Sequence, residues 1–98
     1  NLYIASNTLK SISLKSNKNL KGLTLAGKKL SKIDLANNKK LVYVTIGGAK
    51  MKVLDLRKNT KLKCVDLKAS PSIKKVRVNN VKKFKKNISC TKKTKIVK

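Results

Sequence analysis

A 21-residue period runs through most of this chain and restricts its fold more than any other feature of the sequence. Apolar residues keep this step, as at Leu20, Leu41 and Leu62, and so do four asparagines: Asn17, Asn38, Asn59 and Asn80. A strict internal period of this length is typical of a solenoid, in which each repeat forms one coil stacked on the last. A solenoid acts through its exposed, repetitive surface, so a functional hypothesis has to explain that surface.

Each period contains one short apolar pattern twice. The first half reads L-x-x-L-x-L-x-x-N, as over residues 30–38, and the second half is the same without the asparagine, as over residues 41–46. The triplet L-x-L alternates with the period of a β-strand, and no stretch holds the helical period of about 3.6 residues. The pattern predicts a mainly β solenoid without long helices, built from stacked short parallel strands, two in each coil. We expect strands near residues 12–14, 33–35, 54–56 and 76–78 on one face and near residues 23–25, 44–46 and 65–67 on the other.

The recurring asparagines predict a structural ladder. Where a coil turns, backbone N–H and C=O groups lose their strand partners, and a buried amide side chain can both donate and accept hydrogen bonds. We therefore expect Asn17, Asn38 and Asn59 to be buried, with Asn80 at the fourth position of the same ladder. The alternative is that asparagine recurs only because it is a frequent turn residue.

Two consecutive copies, residues 30–41 and 51–62, follow the pattern L-x-x-L-x-L-x-x-N-x-x-L closely and resemble the leucine-rich repeat family. The nested half-repeats are similar to the 21-residue bacterial subtype of internalin-like surface proteins, over about residues 2–81. The resemblance implies a leucine-rich-repeat solenoid serving as a non-enzymatic scaffold for protein binding or adhesion, outside the cell or on a bacterial surface. It also makes the asparagine-bearing strands a concave binding face, with outward candidate residues Lys32, Asp34, Val53, Asp55, Arg57, Lys75 and Arg77.

The domain organisation follows from where the pattern holds. Residues 1–80 read as about four coils, the first of them incomplete, and residues 81–98 are irregular and basic. The second segment is interpreted either as a cap on the last coil or as a disordered basic tail; the cap would use Phe84, Ile88, Ile96 and Val97. Because residue 1 falls within a repeat, we expect a fragment of a longer protein and self-association through the open first coil.

The charge of the chain is extreme. Lys and Arg total 27 against three Asp, a net charge of +24, and every cation except Arg57 and Arg77 is a lysine. Such a field favours polyanions, and lysine, a hydrated point charge, suits non-specific attraction better than base reading. The expected partner is thus a protein ligand or, alternatively, an anionic polymer such as a cell-wall polyanion, a glycosaminoglycan or a nucleic acid. The lysines could equally serve only to keep the solenoid soluble and its edges unpaired.

Catalytic residue types are scarce in this chain. There is no His and no Glu, and each of Asp34, Asp55 and Asp66 occupies the outward middle of a triplet. We therefore predict no enzyme activity, no metal site and no cofactor. The two cysteines, Cys64 and Cys90, could form one disulfide or remain separate buried thiols. No apolar run reaches the length of a membrane span.

Overall fold

The computed structural model describes residues 1–87 and 95–98, and for Lys86 and Asn87 it describes the backbone only. The chain winds into a solenoid of about 4 turns with two strand-bearing faces. The first face carries β1 (Leu2–Ala5), β3 (Gly22–Ala26), β5 (Tyr43–Gly47) and β7 (Cys64–Asp66). The second face carries β2 (Ser11–Ser13), β4 (Lys32–Asp34), β6 (Val53–Asp55), β8 (Lys75–Arg77) and β9 (Lys95–Val97). All pairings in both faces are parallel, so the predicted mainly β solenoid is confirmed for the described residues.

Each predicted strand lies within one residue of its expected bounds. The strands of the second face end one residue early, because the last apolar residue of each triplet already belongs to the turn. There, the N–H groups of Asn17, Asn38 and Asn59 donate to carbonyl oxygens three residues earlier, at 2.9, 3.1 and 3.1 Å. The turn therefore begins inside the apolar pattern and not after it.

The first face is one continuous sheet with strand order β1-β3-β5-β7. Its register follows the sequence period, with Leu2 opposite Leu23, then Val44, then Val65. Equivalent residues of successive coils therefore form straight columns across this face, about 4.8 Å apart. Strand β1 is the outermost strand on one side of this sheet, and self-association through it stays a prediction.

The second face is divided. Strands β2 and β4 form one sheet, β6, β8 and β9 form another, and β4 does not pair with β6. The backbone enters β6 out of step, because the N–H of Lys50 donates to the carbonyl of Leu30, a residue that is not its 21-residue equivalent. Asp34 and Asp55 stand at equivalent positions of β4 and β6, but they are not opposite each other in a common sheet.

The space between the two faces is filled by aliphatic side chains at the predicted apolar positions. Leu23, Val44, Val65, Leu54 and Val76 have no exposed surface. Burying each such side chain contributes about 1.5–3 kcal/mol, so this core provides most of the stability of the fold. Ile12 and Ile33 are only partly buried, and Ala49 joins the core without having been predicted: the complete buried set is Leu14, Leu20, Leu23, Leu25, Leu30, Leu35, Leu41, Val44, Ile46, Ala49, Met51, Leu54, Leu56, Leu62, Val65, Leu67, Ile73, Val76 and Val78.

After the fourth coil the chain forms helix α1 (Val81–Asn87) and later strand β9, which pairs with β8. Phe84 and Ile96 pack against the core, whereas Ile88 lies outside the described residues. Asn80 is exposed and accepts a hydrogen bond from the N–H of Lys83 at 3.0 Å, which makes it the N-terminal cap of α1. Its predicted place in the ladder is wrong, because it follows Val78 one residue too early to reach the turn position that Asn59 occupies after Leu56.

Candidate binding surfaces

A short asparagine ladder holds one edge of the solenoid together. The Nδ2 group of Asn38 donates to the carbonyl oxygens of Leu14 and Asn17, at 2.9 and 2.8 Å. Asn59 repeats this one coil later, donating to Leu35 and Asn38 at 3.0 and 2.9 Å. Both asparagines are buried, as predicted. We call the turns that contain them, residues 14–21, 35–42 and 56–63, the asparagine edge.

The ladder works differently from the expected exchange of donors and acceptors. The Oδ1 atoms of Asn38 and Asn59 are buried and accept no hydrogen bond from any described residue. The reverse orientation of the amide would bring Oδ1 against two carbonyl oxygens, so the backbone requires the amide nitrogen at this place. Asn17 is exposed, contrary to the prediction.

The opposite edge is closed by a serine. Ser70 Oγ donates to the carbonyl of Ile46 at 2.8 Å and accepts from the N–H of Ala49 at 3.2 Å, and Ser70 is 1% exposed. We call the turns on this side, residues 6–10, 27–31, 48–52 and 67–74, the serine edge. Ser70 follows Leu67 at the same interval as Asn59 follows Leu56, a signal that the sequence contained and that the asparagine pattern obscured.

The three aspartates share one local role that sequence reasoning missed. In each case Oδ1 accepts the backbone N–H two residues later, from Ala36 to Asp34, from Arg57 to Asp55 and from Lys68 to Asp66, at 3.0, 3.1 and 3.1 Å. This is an Asx turn, which stabilises the chain as it leaves the strand. Aspartate before the last apolar residue of a triplet is the signal that could have identified it.

Arg57 and Asp55 form the single ion pair among the described residues. The guanidinium approaches the carboxylate with Nη2 at 2.8 Å from Oδ2 and Nε at 3.0 Å from Oδ1, and both side chains are nearly half exposed. The side-chain hydrogen bond from Arg57 lowers the pKa of Asp55 below its ordinary value, against partial burial, which raises it. The same hydrogen bond raises the pKa of Arg57. Asp55 thus occupies the Nε and Nη2 side of the guanidinium, which leaves the Nη1 group of Arg57 for a partner.

The predicted binding face is therefore two small groups of residues. Lys32 and Asp34 belong to the sheet of β2 and β4, where they lie opposite Ser11 and Ser13. In the other sheet, Val53 lies opposite Lys75, and Asp55 lies opposite Arg77; Arg57 follows in the turn. Val53 is 46% exposed, more than any other large apolar side chain that the structure describes on this face.

The lysines lie mainly along the two edges. Every lysine whose side chain the structure describes is exposed. On the asparagine edge, lysines occupy equivalent positions of successive coils, as with Lys18 and Lys39 and with Lys40 and Lys61. Lys40 Nζ donates to Asn19 Oδ1 at 2.8 Å, the residue at its equivalent position in the preceding coil. Few carboxylates are present, so these stacked cations keep their charge unneutralised.

The first face differs from the two edges because its strands carry no lysine. None of the residues in β1, β3, β5 and β7, all described by the structure, is a lysine. Apart from the carboxylate of Asp66, its outward side chains are small, hydroxylated or aromatic, and Tyr3 and Tyr43 are 69% and 37% exposed. Cys64, at an outward position of β7, is disulfide-bonded; Cys90, the other cysteine of the sequence, lies outside the described residues.

Residues 1–87 and 95–98 contain neither a metal-binding cluster nor a membrane-spanning helix. No group of three or more His, Cys, Asp or Glu residues lies close enough together there to hold a metal ion. No helix in those ranges combines the length and the apolarity that crossing a membrane requires.

Comparisons with protein-family models, with curated proteins and with solved structures found no match to this chain. The similarity to leucine-rich repeat proteins thus rests on the repeat pattern alone. The function has to follow from the surfaces of the molecule itself: two lysine edges, a divided face of mixed charge, and a continuous face without lysine.

Proposed function

We propose that this chain is a non-enzymatic repeat scaffold that binds an anionic polymer through the lysines of its asparagine edge. The observation that carries the proposal is the stacking of unneutralised lysines at equivalent positions of successive coils. Two pairs show this stacking, Lys18 with Lys39 and Lys40 with Lys61, and the exposed lysines Lys15, Lys21, Lys58 and Lys63 lie on the same edge.

The spacing of these charges favours a polymer over a small anion. Successive coils lie about 4.8 Å apart, which is less than the screening length of about 8 Å at physiological salt, so the fields of neighbouring lysines add. A linear polyanion that lies along the edge meets several lysines at once and releases the counterions bound to each. A role in solubility alone requires net charge but does not require like charges to be aligned at this distance, where they repel one another.

A second candidate is the binding of a protein through the second face, as in an adhesion scaffold. Val53 favours it, since a branched apolar side chain stands exposed beside the Asp55–Arg57 pair. Buried apolar contacts of this kind give binding that salt changes little. Substituting Val53→Asp would remove such an interaction and leave polyanion binding almost unchanged.

We also propose that the protein is located outside the cell or on a bacterial surface. The disulfide at Cys64 supports this location, because disulfides persist in oxidising compartments and are rare in the cytosol. Protein ligands and anionic cell-wall or matrix polymers are both available there.

A salt series with linear polyphosphate tests the main proposal. We compare the parent with two variants that lose equal charge: Lys18→Gln, Lys39→Gln, Lys40→Gln and Lys61→Gln on the asparagine edge, and Lys28→Gln, Lys29→Gln, Lys50→Gln and Lys52→Gln on the serine edge. We expect log K to fall linearly with log salt for the parent, and the first variant to lose about tenfold or more in affinity with a flatter slope. Equal losses for the two variants would show that net charge acts without a defined edge, and a salt-independent affinity would contradict polyanion binding altogether.

A further inference from the structure

Tyr43 lies flat on the first face, over the backbone of Gly22. The two residues are opposite each other in the register of β3 and β5. A Cβ built on Gly22 would fall within 2.6 Å of three consecutive atoms of the phenol, Cε2, Cζ and Oη, and the middle atom, Cζ, is the nearest. If this Cβ lay in the plane of the ring, Cε2 and Oη would be nearer to it than Cζ. Gly22 therefore lies under the face of the ring and not against its edge.

This arrangement leaves the other ring face open to solvent. Tyr43 retains 37% of its surface although one face is covered; its outward neighbours Thr24, Ala26 and Thr45 are small, and Asp66 lies opposite Thr45 in β7. Tyr3, which pairs with Thr24, is one strand further and two residues along, roughly 8 Å from Gly22. The first face thus presents one ring lying on the sheet and a second, more exposed ring beside it.

Two lysines stand near this ring, in the column of residues that borders the asparagine edge. The N–H of Val42 donates to the carbonyl of Lys21 at 2.7 Å, and the N–H of Lys63 donates to the carbonyl of Val42 at 2.7 Å. Lys21 and Lys63 therefore stand in the column next to Gly22, Tyr43 and Cys64: Lys21 precedes Gly22, over which the ring lies, and Lys63 precedes Cys64 two coils along. Two strand spacings, about 9–10 Å, separate their backbones.

We propose that the first face binds an anionic polysaccharide, with one sugar ring stacked on Tyr43 and neighbouring acidic groups of the polymer paired with Lys21 and Lys63. The proposal rests on the proposed function and identifies the class of polymer. The negative face of an aromatic ring attracts the polarised C–H bonds on one face of a sugar ring, and a flat surface without lysine side chains lets the sugar approach it. Acidic groups on an extended glycan recur at about the separation of Lys21 and Lys63.

The alternative polymer with both rings and charges is a single-stranded nucleic acid, whose bases also stack on aromatic side chains. The disulfide at Cys64, in the same column as Tyr43, favours the glycan, because an oxidising compartment outside the cell contains acidic polysaccharides in abundance. A nucleic acid is accordingly an outcome that the test has to separate.

The test uses three probes with the full chain: a heparin octasaccharide, which has rings and charges, an oligothymidylate, which has bases and phosphates, and linear polyphosphate, which has charges only. Three variants accompany the parent. Tyr43→Ala removes the ring, Tyr43→Phe keeps it, and Gly22→Ala keeps the tyrosine but places a methyl group where the ring lies, which forces the ring off the sheet. A melting curve for each variant establishes that it is folded.

We expect Tyr43→Ala and Gly22→Ala to weaken heparin binding about three- to tenfold, and Tyr43→Phe to stay within about twofold of the parent. Polyphosphate binding should be unchanged in all three. Polyphosphate binding with no effect of Tyr43→Ala on heparin would overturn this inference and leave the proposed function standing, whereas failure of polyphosphate to bind at low salt would remove the proposed function. A loss confined to oligothymidylate would assign the ring to nucleic acid and refute the glycan, and equal losses for heparin and polyphosphate would show that the ring does not recognise sugar.

Discussion

The two edges of the solenoid solve the same problem with different side chains. On the asparagine edge, Asn38 and Asn59 each donate two hydrogen bonds to the preceding coil, and the arrangement repeats. On the serine edge, Ser70 donates one hydrogen bond and accepts one, and the equivalent positions in earlier coils are Ala49 and Lys28. The out-of-step entry into β6 falls on the serine edge. So does an extra residue before Ile73, because of which β6 and β8 pair at a step of 22 residues and not 21. One edge therefore maintains the register of the coils, and the other accommodates their irregularities.

The largest effect on the asparagine edge is expected for Asn38→Asp, which keeps the shape of the side chain and removes its donors. At neutral pH the new carboxylate faces the carbonyl oxygens of Leu14 and Asn17, so we expect the free energy of unfolding to fall by about 3–5 kcal/mol. Burial without donors raises the pKa of this carboxyl in the folded state above its unfolded value of about 3.9. The folded state then binds protons more tightly, and the destabilisation shrinks as the pH falls toward the unfolded value.

Urea unfolding of this variant near neutral pH and near the unfolded carboxyl pKa measures the effect. The exposed neighbour Asn37 provides the control, because Asn37→Asp adds the same charge without burial. Similar losses for the two variants, or a loss at position 38 that does not depend on pH, would contradict the orientation of the amide.

A smaller effect is expected for Asn38→Ala, which removes one hydrogen bond from each of two carbonyl groups of the preceding coil, while the backbone N–H groups of Asn17 and Leu20 still donate to them. We expect a loss of about 1–3 kcal/mol in the free energy of unfolding. Asn17→Ala, at the equivalent but exposed position one coil earlier, should stay within about 0.5 kcal/mol of the parent. Denaturant titration of both variants measures the difference, and equal values would mean that the ladder does not depend on burial.

Ser70→Ala tests the serine edge in the same way. It removes the partner of the buried N–H of Ala49 and one donor to Ile46, so we expect a loss of about 1–2 kcal/mol, close to or below that of Asn38→Ala. Ser72→Ala is the exposed control in the same turn. A loss well above that of Asn38→Ala in thermal or denaturant unfolding would assign the register to the serine edge and reverse the comparison.

The smallest effect is expected for Lys28→Gln, the equivalent of Ser70 two coils earlier. Lys28 is exposed, so its replacement should change the free energy of unfolding by no more than about 0.5 kcal/mol, with a small gain if it relieves repulsion between lysines. Denaturant unfolding at low and high salt separates these outcomes, because salt screens the repulsion. A loss comparable to that of Ser70→Ala would show that the serine edge uses the lysine stem structurally.

What could be predicted from the sequence depended on whether a residue's partners repeat with it. Asn38 and Asn59 were identified because their partners recur in every coil, and the apolar positions were identified for the same reason. Asn17 and Asn80 stand at the expected step, but Asn17 is exposed and Asn80 follows its triplet one residue early, so the same spacing did not give the same contacts. The pattern did not predict that β4 and β6 would remain unpaired. The apolar period continues through both strands, whereas the backbone hydrogen bond from Lys50 to Leu30 departs from the 21-residue step.

The candidate surfaces divide in the same way. The lysine edges could be predicted from composition and period, since any turn lysine in a solenoid is exposed. The position of the Tyr43 ring over Gly22 could not, because it depends on one coil lacking the side chain that the next coil carries. Periodicity describes what the coils have in common, and this contact depends on how they differ.

That contact has a consequence for how such an array can change over evolutionary time. Repeat proteins commonly gain and lose whole units, and excision of residues 22–42 would join Lys21 directly to Tyr43 with the apolar period intact. The shortened solenoid would stack as before, but the tyrosine would then face Asn1, which has a side chain where Gly22 has none. The order of the coils therefore carries information that their shared pattern does not. A duplication or deletion that conserves the fold could still remove the contact between the Tyr43 ring and Gly22.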